Sequence, residues 1–307
     1  MKIINNNQDL KNTKDLISIQ KHIYLYLKQH KDIQKRFNVR EYVRLLKSII
    51  KMDINEIILN INSIYLNKEE TTKLDKLLDR LYIEYVPLQY LLKFQNFYHE
   101  QYYVNKNVLI PRNDSETLVS CAIDYIHKYH FKTVLDMCCG SGCIGISIAK
   151  NSDVSSCTLV DISKAALNVA EKNIKLNNAE DKCKCICSDM YQNMYSNLFK
   201  KNDKYDVIVS NPPYIRSDVI KTLSKYVQNE PRIALDGGKK GLDYYQTLLS
   251  ESSNFLNNLG FLIFEIGFDQ KDALVSLISK YKEYGYMECI KDLAGNDRVI
   301  VCRFHKI

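Results

Sequence analysis

The residues best suited to chemistry lie at the end of one apolar run. Tyr205-Asp206-Val207-Ile208-Val209-Ser210 leads straight into Asn211-Pro212-Pro213-Tyr214. The run has strand character, and proline, with its fixed φ and missing N–H, ends the ladder and stiffens the turn beyond it. That turn presents one side-chain amide, two backbone carbonyls made rigid by proline, and one flat ring. Such a set suits the grip of a planar NH2-bearing group.

Three further strand ends carry candidate ligand groups. In Val134-Leu135-Asp136-Met137-Cys138-Cys139-Gly140-Ser141-Gly142 a strand enters a small-residue turn, whose glycines let the backbone approach a bound ligand closely. The same turn would suit a dinucleotide, although a third glycine would fall at Gly145 with irregular spacing. Val160-Asp161 places an acid at the tip of the next strand, where a carboxylate can accept both hydroxyls of a ribose. The alternative for Asp161 is the N-cap of the helix that begins near Ser163, and the ribose role is favoured. In Ser188-Asp189-Met190-Tyr191, Asp189 could accept an exocyclic amine while Met190 packs on the ring, or the pair could simply cap a loop.

These positions demand elements that bring them to one edge. From Thr133 onward short apolar runs alternate with amphipathic segments: Thr133–Met137, Cys157–Val160, Cys183–Cys187, Tyr205–Ser210, Gly260–Ile266, Tyr286–Ile290 and Arg298–Phe304 read as strands. Ser163–Leu176, Leu242–Leu256 and Gln270–Lys280 read as helices between them. The alternation predicts an α/β fold with a mostly parallel seven-stranded sheet, ligands at the carboxyl ends, and an antiparallel last strand. The four strand ends then form one row, a nucleoside cofactor over the first three and the amide grip at the fourth. That layout resembles the Rossmann-like methyltransferases that use S-adenosylmethionine (AdoMet), and Asn-Pro-Pro-Tyr is similar to the signature of those that methylate a nitrogen conjugated to a π system. The resemblance implies cofactor binding by Asp136, Cys138, Cys139, Gly140, Ser141, Gly142, Asp161, Asp189, Met190 and Asn211. It implies catalysis by Asn211, Pro212 and Tyr214, with Pro213 beside them at the substrate. The Asn211 side-chain oxygen and the Pro212 carbonyl would each accept one N–H, and Tyr214 would stack on the planar face.

Composition is that of an ordinary soluble protein, with 46% hydrophobic and 26% charged residues in 307. The formal charge of +7 is thinly spread and contains no basic block in residues 1–86, so a solvated surface competes with an acidic or RNA-associated partner. Ten cysteines raise a metal reading, but Cys183, Cys185 and Cys187 alternate along one strand face and no Cys-x2-Cys pair occurs, so no metal is expected. Met1 to Lys14 lacks the apolar core of a secretion signal and no run of about 18 apolar residues exists, which points to a cytoplasmic protein. Residues 15–85 read as helical, with Asn67 and Glu70 as a capping box. The expected domains are a helical 1–86, a β-hairpin linker over 87–112 with turn-like Asn105-Lys106-Asn107, and a catalytic 113–307.

Six further segments narrow the nitrogen: Pro87-Leu88-Gln89-Tyr90, Val108-Leu109-Ile110-Pro111-Arg112, Asp114-Ser115-Glu116-Thr117-Leu118-Val119, Glu230-Pro231-Arg232-Ile233-Ala234-Leu235-Asp236-Gly237-Gly238, Phe264-Glu265-Ile266-Gly267 and Lys291-Asp292-Leu293-Ala294-Gly295-Asn296-Asp297-Arg298. With the Asn211 turn they resemble the HemK/PrmC family, the peptide chain release factor N5-glutamine methyltransferases, from about residue 15 to the C-terminus. The resemblance implies methylation of the Gln in the Gly-Gly-Gln motif of class I release factors, with the N-terminal domain, residues 1–86, and the hairpin helping to dock the factor; the chain is expected to be a monomer with no stable nucleic acid and no membrane. The alternative is a nucleic-acid amino-methyltransferase acting on adenine N6 or guanine N2. Cys138 and Cys139 stand where the family often has Gly and Thr, Lys93 where it has Gly, and Asn113 where it has Pro. Arg112 and Glu116 are expected either near the cofactor mouth or as an interdomain ion pair.

Overall fold

The computed structural model describes residues 2–3, 16–195 and 204–307. Of the Met1 to Lys14 stretch, all but Lys2 and Ile3 lies outside the described residues. The chain forms two compact units, Met1–Lys93 and Phe94–Ile307.

In the first unit, helices Ile19–Gln29, Val39–Ile50, Ile54–Leu59, Lys68–Tyr82 and Leu88–Leu92 bury Leu45, Leu46, Ile57, Leu74 and Leu78. Asn67 Oδ1 accepts the Glu70 N–H and Glu70 returns the bond to the Asn67 N–H, so the capping box satisfies two donors that the helix start would leave open. The unit is not helical throughout. Ile64–Leu66 is a strand flanked by Lys2–Ile3 and Ile17–Ser18, because a β-branched and aromatic triplet just before a helix cap favours extended chain. Lys93 ends the last helix at φ 69°, a left-handed conformation that glycine adopts without strain.

The hairpin differs from expectation. Its strands are Phe94–Phe97 and Glu100–Tyr103, and the turn is Tyr98-His99, both at positive φ, whose twist matches that of paired strands. Asn105 Oδ1 accepts the Asn107 N–H in a separate later turn. Nor is the hairpin a linker: Phe97 and Tyr102 belong to the second unit's core, and the Tyr102 hydroxyl meets Ser147 Oγ at 2.7 Å.

The second unit is built on a seven-stranded sheet: β1 (Thr133–Met137), β2 (Ser156–Asp161), β3 (Cys183–Cys187), β4 (Tyr205–Ser210), β5 (Leu256–Glu265), β6 (Tyr284–Lys291) and β7 (Asp297–Phe304). Their spatial order is β6-β7-β5-β4-β1-β2-β3, with β7 alone antiparallel to its neighbours. Alternation decides which core each residue enters. Val134, Val207 and Val209 face the helices α1 (Glu116–Tyr129), α2 (Cys143–Asn151) and α3 (Lys164–Leu176). Leu135, Ile208 and Leu262 face α4 (Asp243–Glu251) and α5 (Lys271–Ile278). After β3 the chain crosses to the other side of β1, so β1 and β4 form the switch point, outside whose carboxyl ends such sheets bind ligands. Met137 and Ser210 are direct partners there, which sets the glycine turn and Asn211 side by side.

Candidate active site

A cavity opens at this switch point, with an empty volume of about 940 Å³ including open solvent at its mouth. Its floor contains Cys138, Cys139, Gly140 and Ser141 after β1, Asp161 after β2, Asp189 and Met190 after β3, and Asn211 and Pro213 after β4. Leu109, Pro111, Arg112 and Ser115, which precede α1, line it with Pro231, Ile233, Ala234 and Tyr244.

The turn after β1 is held from below. Asp161 Oδ2 accepts the Gly140 N–H at 2.9 Å, and Oδ1 accepts the Ser163 N–H at 2.8 Å. The cap of α3 falls to Ser163, whose hydroxyl accepts the Ala166 N–H, so Asp161 is spared that task and lines the cavity. Burial raises the Asp161 pKa against these backbone donors. Cys138 sits at φ 63° with its Sγ 3.6 Å from Met190 Sδ, a left-handed position where glycine would be unstrained. Gly142, at φ 78°, has no room for a side chain: a Cβ would lie 2.9 Å from Leu159 Cδ2.

Four expected site residues do not line the cavity. Asp136 is fully buried behind the turn, where Oδ2 accepts the Gly145 N–H at 2.9 Å and Oδ1 has no partner among the described residues. Its pKa is pushed up to about 7, by burial first. Gly142 begins α2 and faces Leu159, and Pro212 is buried at the strand end. Tyr214 turns toward β5: its hydroxyl donates to Glu265 Oε1 at 3.2 Å, while its carbonyl accepts from Gln270 Nε2 at 3.1 Å. Burial and Glu265 raise its pKa, so the phenol stays neutral. Asp189 is exposed at the rim and its carbonyl accepts the Gln192 N–H.

Asn211 has its amide polarised. Its Nδ2 donates to Ser115 Oγ at 3.1 Å, and no donor among the described residues takes Oδ1. The carboxamide therefore presents an acceptor. Behind the Asn211 turn, the Ile215 N–H donates to the Leu235 carbonyl and the Gly237 N–H to the Ile215 carbonyl. Gly237 is obligatory at this contact, since a Cβ would come within 2.7 Å of Pro213 O and Tyr214 Cα. Glu230 ties that loop to the segment before α1: its buried carboxylate accepts the Ile110 N–H at 2.9 Å and pairs with Arg112. Glu116 forms no interdomain ion pair among the described residues, because its Oε1 accepts the Tyr98 N–H in the hairpin turn. Glu230–Gly238 is expected from the sequence as a loop supporting the Asn211 turn, whereas Ser115 and Glu265 carry no assigned role there, since their partners lie 96 and 51 residues away.

A methyltransferase small domain model matches residues 115–239. The release factor glutamine methyltransferase of Clostridium botulinum is 38% identical over 262 residues, covering 84% of this chain and 89% of that protein. Its counterpart in Clostridium acetobutylicum is 35% identical over 279 residues, covering 88% and 93%. Among solved structures, ribosomal protein L11 methylase from Lactobacillus delbrueckii subsp. bulgaricus aligns at a TM-score of 0.47 and 18% identity, over 66% of this chain and 84% of that one.

Sheet order, reversed β7 and the switch-point cavity define a Rossmann-like methyltransferase, and its methyl donor is AdoMet. Two relatives well above 30% identity, matched over most of their length, settle the group. The chain belongs to the release factor glutamine methyltransferase family.

Proposed function

We propose that this enzyme methylates the side-chain amide nitrogen, N5, of the Gln in the Gly-Gly-Gln motif of class I peptide chain release factors. The observation that carries the reading is the Asn211 carboxamide, tied by Nδ2 to Ser115 and offering Oδ1 at the cavity. An amide nitrogen is a poor nucleophile because its lone pair is delocalised. Asn211 Oδ1 and the Pro212 carbonyl each accept one N–H of the substrate, turning its nitrogen toward the methyl donor. Both bonds strengthen as the nitrogen gains positive charge, so they stabilise the transition state more than the ground state.

The open turn at Gly140, where no atom lies within 4 Å of an added Cβ, and the Asp161 carboxylate fit a nucleoside cofactor. Asp161 would hold the ribose hydroxyls, Asp189 the adenine amine and Met190 the ring face, while the 138–141 backbone would border the methionine portion. Asp136 serves as a brace for that turn. When bound, AdoMet supplies an electrophilic methyl on a sulfonium. As the new N–C bond forms, the substrate nitrogen gives up one proton to solvent, and no strong general base is needed beforehand. Tyr214, held by Glu265 outside the cavity lining, buttresses the turn that carries Asn211 rather than stacking on the substrate amide.

The N-terminal helical domain, residues 1–86, docks the release factor, and the enzyme works as a cytoplasmic monomer without stable nucleic acid. No helix among the described residues is long and apolar enough to cross a membrane. Nucleic-acid amino-methyltransferases share Asn-Pro-Pro-Tyr, but the family match over most of the chain favours protein. Incubation with labelled AdoMet and a purified release factor tests the reading, with the Gln→Ala factor as control. Label is expected only in the former, and label independent of that Gln refutes the proposal.

A further inference from the structure

Two prolines stiffen the Asn211 turn, but they also leave it without backbone donors at Pro212 and Pro213. Such a turn is held in place through its ends and its carbonyls. Ser115 secures the Asn211 amide at the near end. The far end is Tyr214, whose carbonyl is taken by one buried side chain, Gln270.

Gln270 immediately precedes α5, and its side chain makes no cap bond to that helix. Nε2 instead donates to the Tyr214 carbonyl at 3.1 Å and to the Gly241 carbonyl at 3.0 Å. Oε1 accepts the Gly267 N–H at 2.8 Å and stands 3.4 Å from the Tyr245 hydroxyl. Two carbonyls at one end and an N–H at the other allow the carboxamide a single orientation. Tyr214 and Gly241 lie at the beginning and end of the long connection from β4 to α4, and Gly267 lies in the turn after β5. One amide therefore closes that connection on itself and ties it to the sheet edge. Glycine makes room for the junction: Gly241 is at φ 69°, and a Cβ there would lie 2.4 Å from the Tyr214 carbonyl oxygen and 2.9 Å from Gln270 Nε2. A Cβ at Gly267 would come within 2.9 Å of Gln270 Oε1.

Building on the amide-methylation reading above, we propose that Gln270 is a positioning residue for methyl transfer: by clamping Tyr214 and Gly241 to the turn after β5, its carboxamide fixes the Pro212 carbonyl and Asn211 Oδ1 against the substrate amide. Gln270 stands outside the cavity lining and acts through Tyr214. Without the clamp, two carbonyls lose their donor and the Asn211 turn is free to tilt at the end of β4. A displacement of about 1 Å at the reacting groups costs on the order of 10²-fold in rate.

The test uses the full chain with labelled AdoMet and a release factor, comparing Gln270→Met and Gln270→Glu with the parent. Methionine keeps the length of the side chain and removes its donors. It is expected to lower kcat by on the order of 10²-fold in the folded enzyme, with AdoMet affinity close to that of the parent. Glutamate keeps an acceptor for the Gly267 N–H, but when ionised it sets an oxygen against the Tyr214 and Gly241 carbonyls. Protonation returns one donor to them. The kcat of Gln270→Glu relative to the parent should therefore rise on the order of tenfold as pH falls from about 9 to about 6, the range into which burial carries a carboxyl. A readout independent of the substrate is the side-chain 1H–15N pair of Asn211, assigned by its loss in Asn211→Asp. In Gln270→Glu it should titrate over the same range, beyond any movement in the parent. A Gln270→Met enzyme with parental kcat and only a lowered Tm overturns the proposal, because the clamp would then serve stability alone. So does a Gln270→Glu whose relative kcat and Asn211 resonances ignore pH. Should Gln270→Met not fold, Gln270→Glu decides alone. If the unmodified enzyme leaves release factor unlabelled, the functional reading fails while the resonances still decide the positioning.

Discussion

Glu230 holds two loops of the cavity together, and its removal has a calculable cost. Its side chain is 2% exposed and accepts the Ile110 N–H as well as pairing with Arg112, itself 39% exposed. Glu230→Ala leaves the Ile110 N–H buried without a partner, which costs about 1–3 kcal/mol. The lost ion pair adds about 1 kcal/mol at most, because the Arg112 head recovers water. The sum, about 1–4 kcal/mol, should lower Tm by roughly 2–16 °C at about 2–4 °C per kcal/mol for a unit of this size. Glu230→Gln keeps an acceptor for Ile110 and drops only the charge, so it should lose about 1 kcal/mol or less. Because Pro111, Arg112, Pro231 and Ile233 line the cavity, AdoMet affinity measured by calorimetry should fall in Glu230→Ala and hold in Glu230→Gln. Equal destabilisation by Ala and Gln would show that charge rather than the backbone bond holds the loops, and would refute the assignment.

Asn211→Ala should reduce kcat by on the order of 10²–10³-fold while AdoMet affinity stays close to that of the parent. Asp161→Ala should do the opposite, weakening AdoMet in an equilibrium titration, since Asp161 both lines the cavity and holds Gly140. Gly237→Ala must push Pro213 and Tyr214 aside, so turnover in the release factor assay should drop with AdoMet binding retained. Asp136 gives a pH signature. Its folded pKa of about 7 exceeds the ordinary 3.8, so the folded state holds the proton more tightly than the unfolded chain. Stability contributed by Asp136 is therefore lost as pH rises from about 4 to about 7, by at most about 4 kcal/mol for three units. Urea titrations across that range should show the loss in the parent and not in Asp136→Asn.

Much of the fold was legible because strand and helix periodicity are local properties. Val207, Ile208 and Val209 announce a strand without reference to any distant residue. The turn of the hairpin was not legible, because Tyr98 carries a bulky ring for which positive φ is unfavourable and only the pairing of Phe94–Phe97 with Glu100–Tyr103 imposes it. The same holds for Glu116. Its acid in the first turn of α1 reads as a helix or ion-pair residue until the hairpin folds back to give it the Tyr98 N–H.

The chain alone determined the chemistry on offer: a proline-stiffened amide at Asn211, a glycine turn, and acids at Asp161 and Asp189, each on a strand end. These are matters of residue type and short spacing, which folding does not alter. Tertiary structure decided which of them face the cavity. Asp136 went behind the turn, and Tyr214 swung to Glu265. It also decided the partner of the Asn211 amide, Ser115, whose Oγ accepts from Nδ2. An amide's direction depends on what its other end can donate to, and that partner is brought near only when the sheet closes.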